Sequence, residues 1–392
     1  MLSPTGDDLH RQLRAAAASG PFVRDEISGA TVFLRHADVS ALARDERVAG
    51  VGLTFFDLMG IPDGPLREWY GGLMFTNEGA KHDRLRKLVS RAFSPRSVES
   101  LRTLASDIAN ERLDAIEASG GGDLSEAFAL VAMHVMCALL GVPSEDVKIF
   151  GAWADALSPV FGFMDAAQIE HANAAIDDLL AYVEELAAQR RTDPASDLIT
   201  ALHAAEDDGD RLTHDELVAM VANLLVGGHD TTTSQIGCSV LTLLRSPDEA
   251  KRLRDDPDLL VSAVEETIRM EPSIPAVPRT VKAPIDIAGT TLLPGSMMML
   301  CTAAANREPG VWDEPDTFDV ARFAAKGVPA LLSFGAGPHF CLGAALARMT
   351  LQECVRAVTA RERLTLAEDP QNLPWRVVLG RSPVRLPVTV SA

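Results

Sequence analysis

The sequence predicts a mainly helical fold carrying small β-sheets, and three observations point there. Apolar residues recur at three- and four-residue steps along the long segments. Strand-like stretches are short, falling near residue 30, between 279 and 301, and after 375. No repeat, low-complexity tract or linker interrupts the pattern, so the whole chain, residues 1–392, reads as a single domain. Hydrophobic residues make up 47% of it, enough for a sizeable core and against disorder.

The elements follow in order. "ATVFLR", Ala30 to Arg35, is the first strand signal. Val98 to Ala118 has helical periodicity throughout and is read as one helix. Glu126 to Val142 is apolar nearly all round, the mark of a buried helix. His171 to Arg191 is amphipathic. Arg279 to Cys301 reads as short strands turning at Gly289 and at Pro294–Gly295. Leu342 to Glu362 is a helix opening just after Cys341, and Trp375 to Val390 holds the last strands.

The longest helical segment is Leu212 to Pro247. Thr213 and Glu216 have capping-box spacing, and Pro247 marks the far end. At about 1.5 Å per residue such a helix runs about 50 Å, enough to cross a domain. Its centre breaks helix rules. Gly227 and Gly228 cost about 1 kcal/mol each against alanine, and His229, Asp230, Thr231, Thr232, Thr233 and Ser234 follow between apolar flanks. Two readings stand: a solvated patch on a surface helix, or a wet notch in a buried one where Asp230 and Thr231 handle protons. His229 reads as a structural residue in either case.

A net charge of −19 argues against a nucleic-acid partner. The five cysteines, Cys137, Cys238, Cys301, Cys341 and Cys354, are odd in number and irregularly spaced, which fits a reducing compartment better than disulfides or structural zinc. The first residues carry no apolar signal core, and no run reaches the roughly 18 apolar residues of a membrane span. The expectation is a soluble cytoplasmic protein that does not engage a membrane.

"FGAGPHFCLG", Phe334 to Gly343, places one thiol among three glycines. As a dinucleotide cradle it fails, because Phe340 stands where the last glycine belongs. A Cys/His nucleophile pair would need spatial support. A thiolate is favoured at a helix N-terminus, and there it would make a strong axial ligand for haem iron.

These residues resemble the cytochrome P-450 haem-thiolate monooxygenases, in their bacterial, soluble form. Phe334, Gly337, Cys341 and Gly343 match the F-x-x-G-x-x-x-C-x-G signature; "GGHDTT", Gly227 to Thr232, is similar to the oxygen-activating helix motif; "EETIR" carries the E-x-x-R pair as Glu266 and Arg269; and Ala304 to Phe323 supplies a third member, Arg322. The likeness spans roughly residues 30 to 390. It implies the cytochrome P-450 fold, a triangular-prism domain with haem between the long central helix and the Cys-loop helix. It implies haem b (iron protoporphyrin IX) with Cys341 as axial thiolate, Phe334 and Gly343 beside the ring, and His82, Arg86, Arg279 and His339 on the propionates, although Arg86 alone would pass for a surface charge. Asp230 and Thr231 become the proton relay, and Glu266, Arg269 and Arg322 a structural ionic network. Asn223, Val226, Gly227 and Val277 fall where relatives line the substrate pocket, and Leu53 to Phe75 where they cap it.

The implied activity is hydroxylation or epoxidation of an apolar or amphipathic small molecule with O2. No flavin or nicotinamide motif is visible, so electrons come from a partner. Lys81 to Arg102 holds seven basic residues against Asp83 and Glu99, and Arg348, Arg356, Arg361 and Arg363 follow the cysteine. The resemblance puts both stretches on the thiolate side, the expected dock for an acidic ferredoxin; the plainer reading is two solvated helix faces. Peroxide-driven oxidation and a non-catalytic haem sensor are the alternatives, the first weakened by the acid–alcohol pair.

Overall fold

Helices dominate, and the described strands all fall in one part of the molecule. The computed structural model describes residues 6–26, 28–162, 164–205, 210–377 and 379–391. The chain gathers into two compact units. One takes its described residues from the stretch ending at Ala49, from Ser106–Ala129 and from Thr231 onward; the other takes Gly50–Ala105 and Leu130–Asp230.

The sheet-bearing unit is organised around five short strands in the order Phe22–Arg24, Thr31–Phe33, Met297–Leu300, Val277–Val281, Val48–Ala49. Thr31–Phe33 runs parallel to Met297–Leu300, and the other pairings are antiparallel. One face buries Phe33, Val281, Met298 and Leu300 with Val39 and Leu42. The N-terminal helix Gly6–Ser19 packs Leu9 and Leu13 against Leu34, Cys301 and Ala303. The strand signal at Ala30–Arg35 thus narrows to three paired residues. The predicted turn at Gly289 joins Ile285–Ile287 to Thr290–Leu292 through Ala288 and Gly289, both at positive φ (51° and 80°). That is the two-residue hairpin geometry that matches strand twist.

The helical unit includes Pro65–Gly72, Gly79–Ala92, most of Leu124–Leu140, Ala166–Thr192 and the first half of the long helix. The segment expected as one helix from Val98 to Ala118 is two, Pro95–Glu99 and Arg102–Ala118. The cause is local. The Ser100 hydroxyl donates to the Ser97 carbonyl at 2.8 Å, so the Leu101 N–H turns to Val98 instead, at 3.1 Å. A serine hydroxyl competing for a ladder carbonyl weakens and bends a helix locally.

The long helix runs unbroken from His214 to Leu244, and Pro247 opens the next helix. Its capping box is formed: the Thr213 N–H donates to Glu216 Oε2 at 2.9 Å, and the Glu216 N–H to Thr213 Oγ1 at 3.2 Å. Glu216 is held a second time by Arg84 at 2.7 Å, which also grips Asp210 and the Arg211 carbonyl. The start of this helix is therefore pinned to Gly79–Ala92 within the same unit. Mid-helix, a Cβ on Gly228 would lie 2.6 Å from Met136 Cε, so a larger residue there would push the end of the Met136 side chain aside.

Candidate active site

Cys341 is unlike the other four cysteines. Burial raises the thiols of Cys137 and Cys238 to about 12 and that of Cys301 to about 11, and it raises Cys354 as well, which leaves all four inert. Cys341 is exposed. It stands three residues before the 16-residue helix Ala344–Thr359, and its N–H donates to the Phe334 carbonyl at 2.9 Å, closing the loop. Gly337 sets the loop's path: its φ is +70°, and a Cβ there would lie 2.4 Å from the Ala43 carbonyl oxygen. At Gly343 a Cβ would meet nothing within 4 Å, so the space beside that glycine is open.

Phe334 is fixed from behind. The Arg348 guanidinium lies 4.3 Å from its ring centroid and forms a bidentate pair with Glu265 at 2.6 and 2.9 Å. Val277 and Arg279 share a cavity with Gly335 and Ala336 of the cysteine loop and with Leu332 and Thr302. His339 sits half-buried in the short turn Gly337–His339. Within the sheet-bearing unit, this cavity joins Val277 and Arg279 to the loop that also carries Phe334, His339, Cys341 and Gly343.

The same unit holds a closed ionic network. Glu266 and Arg269, both fully buried, pair at 2.7 and 2.8 Å. Arg322 Nε and the Asp319 N–H add bonds of 3.0 and 3.1 Å to Glu266 Oε1. Arg269 also donates to the carbonyls of Asn306, Pro315 and Thr317, and Arg322 to those of Asp313, Glu314 and Thr317. The network therefore clamps the irregular segment ahead of the cysteine loop.

The long helix carries the second set of residues. His229, Asp230, Ser234 and Gln235 are buried, which removes the solvated-patch reading. Asn223, Val226, Gly227, Asp230 and Thr231 follow at three- and four-residue steps and share one face. In the helical unit, His82 and Arg86 lie four apart on Gly79–Ala92; His82 is buried with Nδ1 3.0 Å from Asp83, and Arg86 is half-buried.

One supporting group was not visible in the sequence. Gln235, one turn beyond Thr231, accepts from the Ser273 N–H at 2.8 Å and donates to the Glu271 carbonyl at 3.0 Å. The Ser273 hydroxyl returns a 3.3 Å bond to the Thr231 carbonyl. Behind it, Glu271 is buried against Arg381 at 2.8 Å, His10 at 3.1 Å and Arg307 at 3.9 Å. Burial opposes its ionisation, but His10, Arg381 and Arg307 together outweigh that and hold the carboxyl well below its usual range. The available signal was a glutamine that extends the polar stretch His229–Ser234 by one residue toward the apolar second half of the helix.

Among the described residues no three His, Cys, Asp or Glu side chains cluster to hold a bare ion. A single sulfur can hold a metal only if the metal brings its other ligands, as porphyrin iron does. The exposed Cys341, the open space at Gly343 and the cationic Arg279, which shares lining with the same loop, suit that group.

The sequence model of the Cytochrome P450 family matches residues 62–385. The chain belongs to the cytochrome P450 family and is a monooxygenase of bacterial type. It is 38% identical over 396 residues to nocardicin C N-oxygenase of Nocardia uniformis subsp. tsuyamanensis, covering 98% of this chain and 96% of the relative. It is 39% identical over 323 residues to vitamin D(3) 25-hydroxylase of Pseudonocardia autotrophica, covering 81% and 78%. The crystal structure of CalO2 superposes with a TM-score of 0.91 at 30% identity, covering 98% of this chain and 96% of that one. Among the described residues no helix is long and apolar enough to cross a membrane.

Proposed function

We propose that this monooxygenase hydroxylates or epoxidises an apolar or amphipathic small molecule, with two electrons delivered by an acidic ferredoxin and its reductase. The observation that carries the reading is the one exposed thiol, Cys341, held in a closed glycine loop at a helix start. When bound, haem supplies dioxygen activation and oxidation of the substrate carbon. Cys341 would hold its iron as thiolate, with Phe334 and the open side of Gly343 against the ring. Arg279, His339, His82 and Arg86 would take the propionates; the arginine forks suit carboxylates. Asp230, on its carboxyl oxygens, and Thr231, on its hydroxyl, would hold and pass the protons the reaction consumes.

The stretch expected to cap the pocket packs its own rings together in the helical unit. Phe56 stacks on Tyr70 at 4.2 Å, and Phe75 and Phe161 lie 5.8 and 6.2 Å from Tyr70. Burial pushes the Tyr70 hydroxyl up to about 12, so it stays neutral. Two relatives are named for a 25-hydroxylase of vitamin D(3) and an N-oxygenase of nocardicin C; neither name fixes the compound here. For the ferredoxin, Lys81, Lys87, Arg96, Arg356 and Arg363 are exposed in a chain of net charge −19. Arg84, Arg348 and Arg361 are engaged in internal pairs and add less than their number suggests. Reduction by a ferredoxin should slow with added salt. The relay is tested with Thr231→Ala: peroxide released per electron pair rises and product falls, while unchanged coupling would remove Thr231 from the role.

A further inference from the structure

From Leu217 to Gly228 the long helix carries one polar side chain, Asn223, and no charge. It is 9% exposed. The helix offers an easy partner, the carbonyl four residues back. Asn110 and Asn173, in two other helices, take that partner at 2.8 and 2.9 Å. The Asn223 amide does not, and it makes no hydrogen bond to any described residue. Although the residue is 9% exposed, its amide atoms are not themselves sealed off, so a ligand oxygen can reach them and pair with them.

The surroundings show which side of the helix is open. A Cβ on Gly227, four residues on, would meet nothing within 4 Å, whereas on Gly228 it would strike Met136. Asn223, Gly227 and Thr231 follow at four-residue steps, so the amide lies on the Gly227 stripe and away from the packed Gly228 side. Ala219, one turn earlier on this stripe, abuts Gly72 of the helix Pro65–Gly72.

We propose that Asn223 is the substrate's polar anchor: its amide hydrogen-bonds a neutral carbonyl or hydroxyl oxygen on an otherwise apolar substrate. This rests on the monooxygenase reading of Asp230 and Thr231. Those residues stand seven and eight positions further along, so the substrate's oxygen and the carbon to be oxidised are separated by on the order of 10 Å. The substrate class is an apolar skeleton of at least that length bearing one uncharged oxygen function. A carboxylate finds no cation on this stripe between Leu217 and Gly228.

The test uses haem-loaded wild type, Asn223→Leu and Asn223→Ala, the last removing the amide without added bulk. Spin-state titrations compare 5α-androstan-17-one with 5α-androstane and cyclododecanone with cyclododecane. Wild type should bind at least one ketone more tightly than its hydrocarbon, and both variants should erase about a ten-fold preference, the worth of one such bond. Without ligand, Asn223→Leu should melt at or above the wild-type temperature, since no paired amide is lost. The proposal is overturned if wild type prefers neither ketone, if ketone and hydrocarbon affinities shift together in the variants, or if Asn223→Leu melts several degrees lower. A wild type that shows no thiolate-type haem spectrum would instead sink the monooxygenase reading itself.

Discussion

Replacing Glu266 with glutamine changes one atom and removes one charge, and the geometry says what that costs. Oε1 accepts from Arg269 Nη2, Arg322 Nε and the Asp319 N–H, and Oε2 accepts from Arg269 Nε at 2.7 Å. An amide oxygen can keep one of those positions. The amide NH2 must then face an arginine N–H, donor against donor. Arg269, fully buried, also loses its charge partner. Breaking a buried pair this way costs about 3–5 kcal/mol. Unfolding entropy of about 2 cal/mol/K per residue gives roughly 0.8 kcal/mol/K for a chain this long, so the melting temperature should fall by about 4–6 °C. Thermal melts followed by circular dichroism, with haem per polypeptide measured alongside, read the effect. A shift under about 1 °C would refute the claim that this carboxylate neutralises the clamp.

Further outcomes follow from single positions. Gly337→Ala should shift the cysteine loop and at least halve haem retention, because its Cβ would strike the Ala43 carbonyl oxygen at 2.4 Å in an already left-handed backbone. Gly335→Ala, whose nearest contact would be 3.6 Å, should be milder; equal retention in the two variants would contradict the steric account. His10 has its pKa lowered, chiefly by burial and despite the pull of Glu271. The fold therefore prefers the neutral ring, and its contribution is complete above about 6.5 and lost as the pH falls below that. Urea unfolding at pH 7.5 and 5.5 should show a larger drop for wild type than for His10→Gln, and equal drops would exclude His10 as the titrating group.

What the sequence made legible was local. The capping box of Thr213 and Glu216, the shared face of Glu266 and Arg269, and the special cysteine loop all follow from spacings of a few residues. The failures are also physical. One serine hydroxyl, on Ser100, splits a segment whose apolar periodicity runs straight through the break. The Gln235–Ser273–Thr231 bonds join residues about 40 positions apart, and His10 meets Glu271 from the opposite end of the chain; no periodicity encodes such meetings. Charge counting misled in part, because Arg84 and Arg361 are tied to Glu216 and Asp114. The unpaired state of Asn223 is invisible without the helix around it.

The account's central claim is the bond between the Cys341 sulfur and haem iron, and carbon monoxide binding to the reduced protein tests it most directly. Wild type and Cys354→Ala should both give the red-shifted, thiolate-type Soret band, and Cys341→Ser should lose it. A thiolate-type band surviving in Cys341→Ser, or absent from wild type supplied with ample haem, would contradict the claim.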